Sequence, residues 1–188
     1  SSLAFPLVAS TIARTALHIP NVDMNDVQGD KKIVDILKMI GAPIETLEQG
    51  IQLHANHDGE LLGFDLDIND CIDALPILAV LACFVSRASV IRGAGVARCK
   101  ESDRISVIAS QLRKMGAEIT EHPDGLNINP RPLKGAQVHS HHDHRIAMAL
   151  AVAGMNAQGH TTISNIECIE KSYPNFIHTF KTLGAHFE

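Results

Sequence analysis

Three helix endings recur along this 188-residue chain. They read Met39-Ile40-Gly41-Ala42, Lys114-Met115-Gly116-Ala117 and Thr182-Leu183-Gly184-Ala185, with glycines 75 and 68 positions apart. In the first two, the segment before the stop carries apolar residues at helical spacing: Ile33, Val34, Leu37 and Ile40, then Ile105, Val107, Ile108 and Leu112. A glycine just past the last such residue is a helix stop, because it enters the left-handed conformation without a steric cost. The period is too long for a solenoid and suits a small α/β unit. It predicts a fold of helix, strand, helix, strand, strand, repeated over about 1–62, 63–134 and 135–188.

Each unit reads in the same order. Ser1-Ser2 precedes an apolar helix, Leu3–Ala13, and extended segments are expected at 16–22, 44–48 and 51–55, with a helix over 30–40 between them. The second unit places an apolar helix over 74–85 after Asp73, a strand at 88–92, an amphipathic helix from Ser102 to Met115, and strands at 118–122 and 126–128. The third places a helix over 146–155 after Asp143, a strand at 161–164 and a helix over 175–183. One helix per unit is apolar nearly all round and so buried; the other is amphipathic. The expected fold class is α/β (α+β): a single domain whose buried helices pack together, with short sheets outside. The first unit lacks a leading strand and the third stops after one strand, so the missing strands are expected in sequence beyond this chain.

With 45% hydrophobic and 20% charged residues, the chain has the composition of a globular protein with a real core. A net charge of −5 and a single aromatic hydroxyl, Tyr173, with no Trp argue against a nucleic-acid surface. Cys71, Cys83, Cys99 and Cys168 form no C-x-x-C pair, which fits a reduced, cytoplasmic setting. The longest apolar run is too short to span a bilayer.

The chemistry concentrates in Arg98-Cys99-Lys100-Glu101-Ser102-Asp103-Arg104. If Ser102 or Asp103 caps the following helix, the flanking cations crowd an N-terminus whose free N–H groups already favour anions. Asp73 has two readings: an N-cap, or a second carboxylate facing the same cleft as Glu101 for acid–base work. Asp143 reads as a helix cap with Arg145 in the first turn, where a guanidinium is electrostatically misplaced unless an anion binds. Lys171 occupies in the third unit the place of Lys100 and Arg104 in the second, whereas the first unit's loop ending Val27-Gln28-Gly29-Asp30 carries no cation. His139, His141, His142 and His144 with Asp143 resemble a metal box, but their spacing matches no helix-face or zinc-finger pattern, and no metal is expected.

The run Arg98–Ile105, continued by Leu112-Arg113-Lys114-Met115-Gly116-Ala117-Glu118, resembles a signature of the EPSP synthase family. Asp143-His144-Arg145-Ile146-Ala147-Met148-Ala149 is similar to the second signature. Asp73-Ala74, Lys171-Ser172-Tyr173-Pro174, Gln28-Gly29-Asp30 and the opening serines fall in the family's order, so the likeness runs the length of the chain. The resemblance implies an enolpyruvyl transferase of the shikimate pathway to aromatic amino acids, inhibited by glyphosate, monomeric and without cofactor. It implies that Asp73 and Glu101 perform acid–base catalysis. By the same likeness Lys100 and Asp73 contact shikimate 3-phosphate, and Arg104, Arg145 and Lys171 bind phosphoenolpyruvate. Two departures stand out: Val96 replaces an asparagine common in the family, and only the C-terminal of the family's two domains is matched. The N-terminal domain, which completes the cleft, is expected as a partner. Rival readings are the UDP-N-acetylglucosamine enolpyruvyl transferase, and a metal-binding module through His139–His144.

Overall fold

The computed structural model describes residues 2–22, 30–55 and 59–188. In chain order these form α1 (Ala4–Ala13), β1 (Leu17–Pro20), α2 (Asp30–Met39), β2 (Ile44–Leu47), β3 (Gly50–Leu53) and β4 (Asp65–Asp67). A 3-10 turn over Asn69–Ala74 leads into α3 (Leu75–Ala82) and β5 (Ser89–Arg92). A second such turn, Gly95–Cys99, precedes α4 (Arg104–Lys114), β6 (Glu118–His122), β7 (Gly125–Asn129) and β8 (Gln137–His139). Then come α5 (His144–Met155), β9 (Thr162–Ser164), a third 3-10 turn over Ile166–Lys171 and α6 (Phe176–Thr182).

The core is a cluster of helices. Every residue of α3 is buried, as are Ala4–Thr11 of α1 and Ile146–Ala153 of α5. These three helices pack on one another. Sequences this apolar cannot present a solvated face, so mutual packing is the arrangement that removes all of their surface from water. Thr11 is tolerated there because its hydroxyl donates to the Leu7 carbonyl at 2.7 Å. Pro76 sits in the first turn of α3, where its missing N–H costs no helical hydrogen bond.

Amphipathic α4 lays Ile105, Ile108, Ala109 and Leu112 on the core and turns Ser110, Arg113 and Lys114 outward. It ends at Gly116 (φ +94°), where the Gly116 N–H bonds the Arg113 carbonyl and the Ala117 N–H reaches back to Leu112. The same pair of bonds closes α2 at Gly41-Ala42 and α6 at Gly184-Ala185. All three endings are the six-to-one, five-to-two closure that a left-handed glycine permits.

Among the described residues three sheets lie outside the helices. One is antiparallel, in the order β1-β3-β2; the largest runs β4-β5-β7-β6; the third is the pair β8-β9. The pairs β4-β5 and β8-β9 are parallel, with α3 and α5 as their crossovers. Neither β4 nor β8 is among the strands expected from the sequence. Each is three residues long, and three residues are too few for an alternating pattern to show. Both matter for function, because loops at the carboxyl ends of parallel strands are where α/β folds build ligand sites. Here those loops hold Asp73 after β4, Lys100 and Glu101 after β5, Asp143 after β8 and Lys171 after β9. Among the described residues no helix is long and apolar enough to cross a membrane.

Candidate active site

Arg104 is the centre of the site. It is the first residue of α4, its side chain is only 3% exposed, and its guanidinium is shared by three carboxylates. Nε donates to Asp143 Oδ2 at 2.8 Å and Nη1 to Asp73 Oδ1 at 2.7 Å, while Nη2 reaches both Glu101 and Asp143 Oδ1. A planar fork can satisfy several carboxylates at once; an ammonium could not.

The carboxylates come from three elements. Asp143 caps α5, accepting from the N–H groups of Arg145 at 2.9 Å and Ile146 at 3.4 Å, and it also accepts from the Ser102 hydroxyl at 3.0 Å. It is fully buried. Burial would raise its carboxyl pKa, but the Arg104 guanidinium, the Arg145 N–H and Ser102 outweigh that and hold it below the usual carboxylate range. Asp103 caps α4 through the Ser106 N–H at 3.0 Å. Asp73 caps nothing. Ala74 occupies the cap position of α3 with no side-chain bond, which leaves the Asp73 carboxylate free to turn toward cations. Besides Arg104 it meets Arg145 Nη2 at 3.6 Å and Lys100 Nζ at 3.7 Å. Burial again pushes upward, but Arg145, Arg104 and Lys100 together lower the Asp73 carboxyl.

Glu101 bridges Arg104 and the Nδ1 of His144, which lies 3.2 Å from its Oε1. Burial lowers the His144 pKa and Glu101 pulls against it. Asp73, Lys100 and Arg145, with Asp70, Cys71 and Ala4, line an open cleft of about 310 Å³. A larger groove, about 580 Å³, lies between α5, β9 and α6 and holds none of these groups. Asp73 and Arg104 thus link Lys100, Glu101 and Arg145 into one network of ion pairs. Lys171 is exposed, and its side chain forms no hydrogen bond or ion pair with the described residues. The loop ending Val27-Gln28-Gly29 lies outside the described residues.

The histidines divide. His139, His141 and His142 form a turn in which His139 Nδ1 accepts from the His141 N–H at 2.8 Å. His139 Nε2 and His142 Nε2 face the Asn165 amide at 2.8 and 3.1 Å, and His141 Nε2 faces the Gln111 amide at 3.2 Å. Their nitrogens fold the chain against its neighbours. His144 alone joins the site, a partnership hidden in the sequence because it shares a run with the other three. Among the described residues, the donor cluster tight enough for a cation is Glu101, Asp143 and His144. Asp143 there already accepts from Arg104, Ser102 and two N–H groups, so an added cation would meet a guanidinium.

A family model described as EPSP synthase (3-phosphoshikimate 1-carboxyvinyltransferase) matches residues 1–180. The chain belongs to the EPSP synthase family. A 3-phosphoshikimate 1-carboxyvinyltransferase of Chlamydia caviae is 45% identical over the whole chain, which covers 42% of that protein. One of Ruminiclostridium cellulolyticum is 43% identical, again over the whole chain and 44% of the relative. The solved EPSP synthase of Acinetobacter baumannii superposes with a TM-score of 0.84 at 29% identity, over 96% of this chain and 44% of that one. The chain therefore spans less than half the length of the EPSP synthases it matches. These likenesses favour the shikimate branch over the UDP-N-acetylglucosamine rival and over a metal-binding module.

Proposed function

We propose that this chain supplies one wall of the active site of a 3-phosphoshikimate 1-carboxyvinyltransferase, acting in the cytoplasm without a cofactor. The reaction transfers the enolpyruvyl group of phosphoenolpyruvate to the 5-hydroxyl of shikimate 3-phosphate and releases phosphate. The observation that carries this reading is the Asp73–Arg104–Glu101 constellation, two carboxylates held on one guanidinium at the mouth of a cleft lined by Lys100 and Arg145.

The chemistry needs two proton-handling groups and fixed cations. The hydroxyl oxygen adds to C2 of the enol phosphate as C3 gains a proton, giving a tetrahedral centre. That centre then loses phosphate while C3 returns its proton, so atoms and charge balance. Asp73, kept ionised by its cations, is suited to receive the hydroxyl proton, and Glu101 to exchange the proton at C3. Lys100 offers an ammonium to the shikimate ligand, and Arg145 and Lys171 supply cations to phosphoenolpyruvate. Arg104 has one Nη1 proton uncommitted for a ligand once its carboxylates are served. Val96, 58% exposed on the turn before Lys100, offers no hydrogen bond, so the shikimate phosphate must depend on Lys100 and on the other half of the enzyme. The unit boundaries 1–62, 63–134 and 135–188 belong to the same proposal, supported by the glycine closures at the ends of α2, α4 and α6.

The test is reconstitution. Joining this chain to an N-terminal EPSP synthase half, in cis or in trans, is expected to release phosphate from phosphoenolpyruvate only when shikimate 3-phosphate is present. Glu101→Ala and Asp73→Ala should each lower that rate by about 100-fold or more while thermal unfolding stays cooperative. Full activity in both variants would remove Asp73 and Glu101 from the mechanism.

A further inference from the structure

Lys100 and Glu101 stand on a segment with little backbone support. Among the described residues, the backbone of Lys100, Glu101 and Ser102 makes no hydrogen bond to other backbone outside the helices. Their position therefore depends on what pins the segment at each end. At one end Arg104 is locked into Asp143, Asp73 and Glu101. The other end is Arg98, a residue outside the cleft and with no role in the proposed chemistry.

Arg98 donates in three directions. Nε bonds the Pro123 carbonyl at 2.8 Å, Nη1 bonds Asp103 Oδ2 at 2.7 Å, and Nη2 bonds both Glu121 Oε1 at 2.9 Å and the His122 carbonyl at 2.8 Å. The contacts close into a ring. Asp103 uses its other oxygen to cap α4 through the Ser106 N–H, and the Ser106 hydroxyl returns to Glu121 Oε2 at 3.3 Å. One guanidinium thus joins the 3-10 turn before the site, the N-terminus of α4 and the β6–β7 hairpin. Its side chain is 27% exposed, so these charge-assisted bonds are only partly screened.

We propose that Arg98 is a positioning residue: with Arg104 it clamps both ends of the Lys100–Asp103 turn and so sets where Glu101 and Lys100 stand against Asp73 and His144. This rests on the functional reading above, and its test is arranged to separate the two. Arg98→Lys keeps the positive charge but replaces a fork that reaches two carboxylates and two carbonyls with a single ammonium. Glu121→Gln keeps one acceptor oxygen for the fork, loses the charge, and turns the oxygen that accepts from the Ser106 hydroxyl into an amide donor.

Two measurements decide. In the reconstituted enzyme, Arg98→Lys is expected to lower kcat about tenfold or more, and Glu121→Gln less. KM for phosphoenolpyruvate should stay within about twofold, because Arg104 keeps its own bonds to Asp143 and Asp73, and Arg145 and Lys171 stand on other elements. In the 188-residue chain itself, the NMR titration of His144 should move lower in Arg98→Lys, since Glu101, which raises it, has drifted away. Cys71, Cys83 and Cys168 are buried and Cys99 is exposed, so unreactive buried thiols certify that a variant is folded. If Arg98→Ala fails that check, Arg98→Lys decides alone. Wild-type kcat with an unmoved His144 titration in folded Arg98→Lys overturns the proposal. A reconstituted wild type with no turnover sinks the functional reading, and the His144 titration then decides the role of Arg98 by itself.

Discussion

Arg104 and Asp143 form a pair with almost no access to water, and such a pair is worth most as geometry. Bringing two charges inside costs about as much as their attraction returns, but removing one leaves the other buried and unpaired. Asp143→Ala strips Arg104 of its buried partner and uncaps α5 in one step. It should destabilise the fold by on the order of 3 kcal/mol or more in urea unfolding. Acid should act on the same bond. The Asp143 carboxyl is held below its ordinary range in the native state. Its contribution is thus fully present above the unfolded value of about 3.9 and is lost as the pH falls through the lower native one. The urea midpoint should drop below about pH 4, and the drop should be shallower in Asp143→Asn; an identical slope would place the acid sensitivity elsewhere. The sequence marks Asp143 as a cap and Arg104 as a cation at a helix start, and Asp143 caps α5 while Arg104 opens α4. What spacing could not reveal is that the two meet, since they are 39 positions apart and are joined only by the packing of α4 on α5.

At the scale of elements, legibility follows length and punctuation. Among the described residues the six helices lie within a few residues of their expected places, because apolar periodicity and glycine stops mark them. The strands of the antiparallel hairpins are legible as well, and two-residue turns, Glu48-Gln49 and Pro123-Asp124, join them. The parallel strands β4 and β8 and the three 3-10 turns were not, for they are short and their pairing is non-local. Their absence from the sequence reading is why Asp73 could pass for a helix cap: without the turn over Asn69–Ala74, nothing aims its carboxylate at Arg104. The glycine closure can be tested on its own. A Cβ on Gly116 would meet nothing nearer than the Pro132 carbonyl at 3.9 Å, so Gly116→Ala carries only the cost of a left-handed alanine. That cost should be about 1–2 kcal/mol, read from the shift in urea midpoint. No change would mean that the ending of α4 is set by tertiary contacts.

For the whole molecule the governing fact is charge balance at the cleft. Lys100, Arg104 and Arg145 face Asp73, Glu101 and Asp143, three cations against three carboxylates, on a chain whose net charge is −5. Such a site is poised to position ligands but has no surplus positive charge to capture them. Under the proposed function phosphoenolpyruvate brings a carboxylate and a phosphate to this site, with Lys171 as a further cation for it. On that reading the remaining charge comes from the part of the relatives' length, more than half, that the chain does not span. Titrated calorimetrically, the 188-residue chain should therefore bind phosphoenolpyruvate with a Kd weaker than about 1 mM. Adding the other half with shikimate 3-phosphate should tighten it by about 100-fold or more, because closure adds cations and excludes water from those already present. Lys171→Ala should weaken binding in both settings by a similar factor if Lys171 reaches the ligand without domain closure. An effect confined to the completed enzyme would instead mean that closure brings Lys171 to the cleft. Micromolar binding by this chain alone would show that its own cations are not spent on its own carboxylates, and the balance drawn around Arg104 would be wrong.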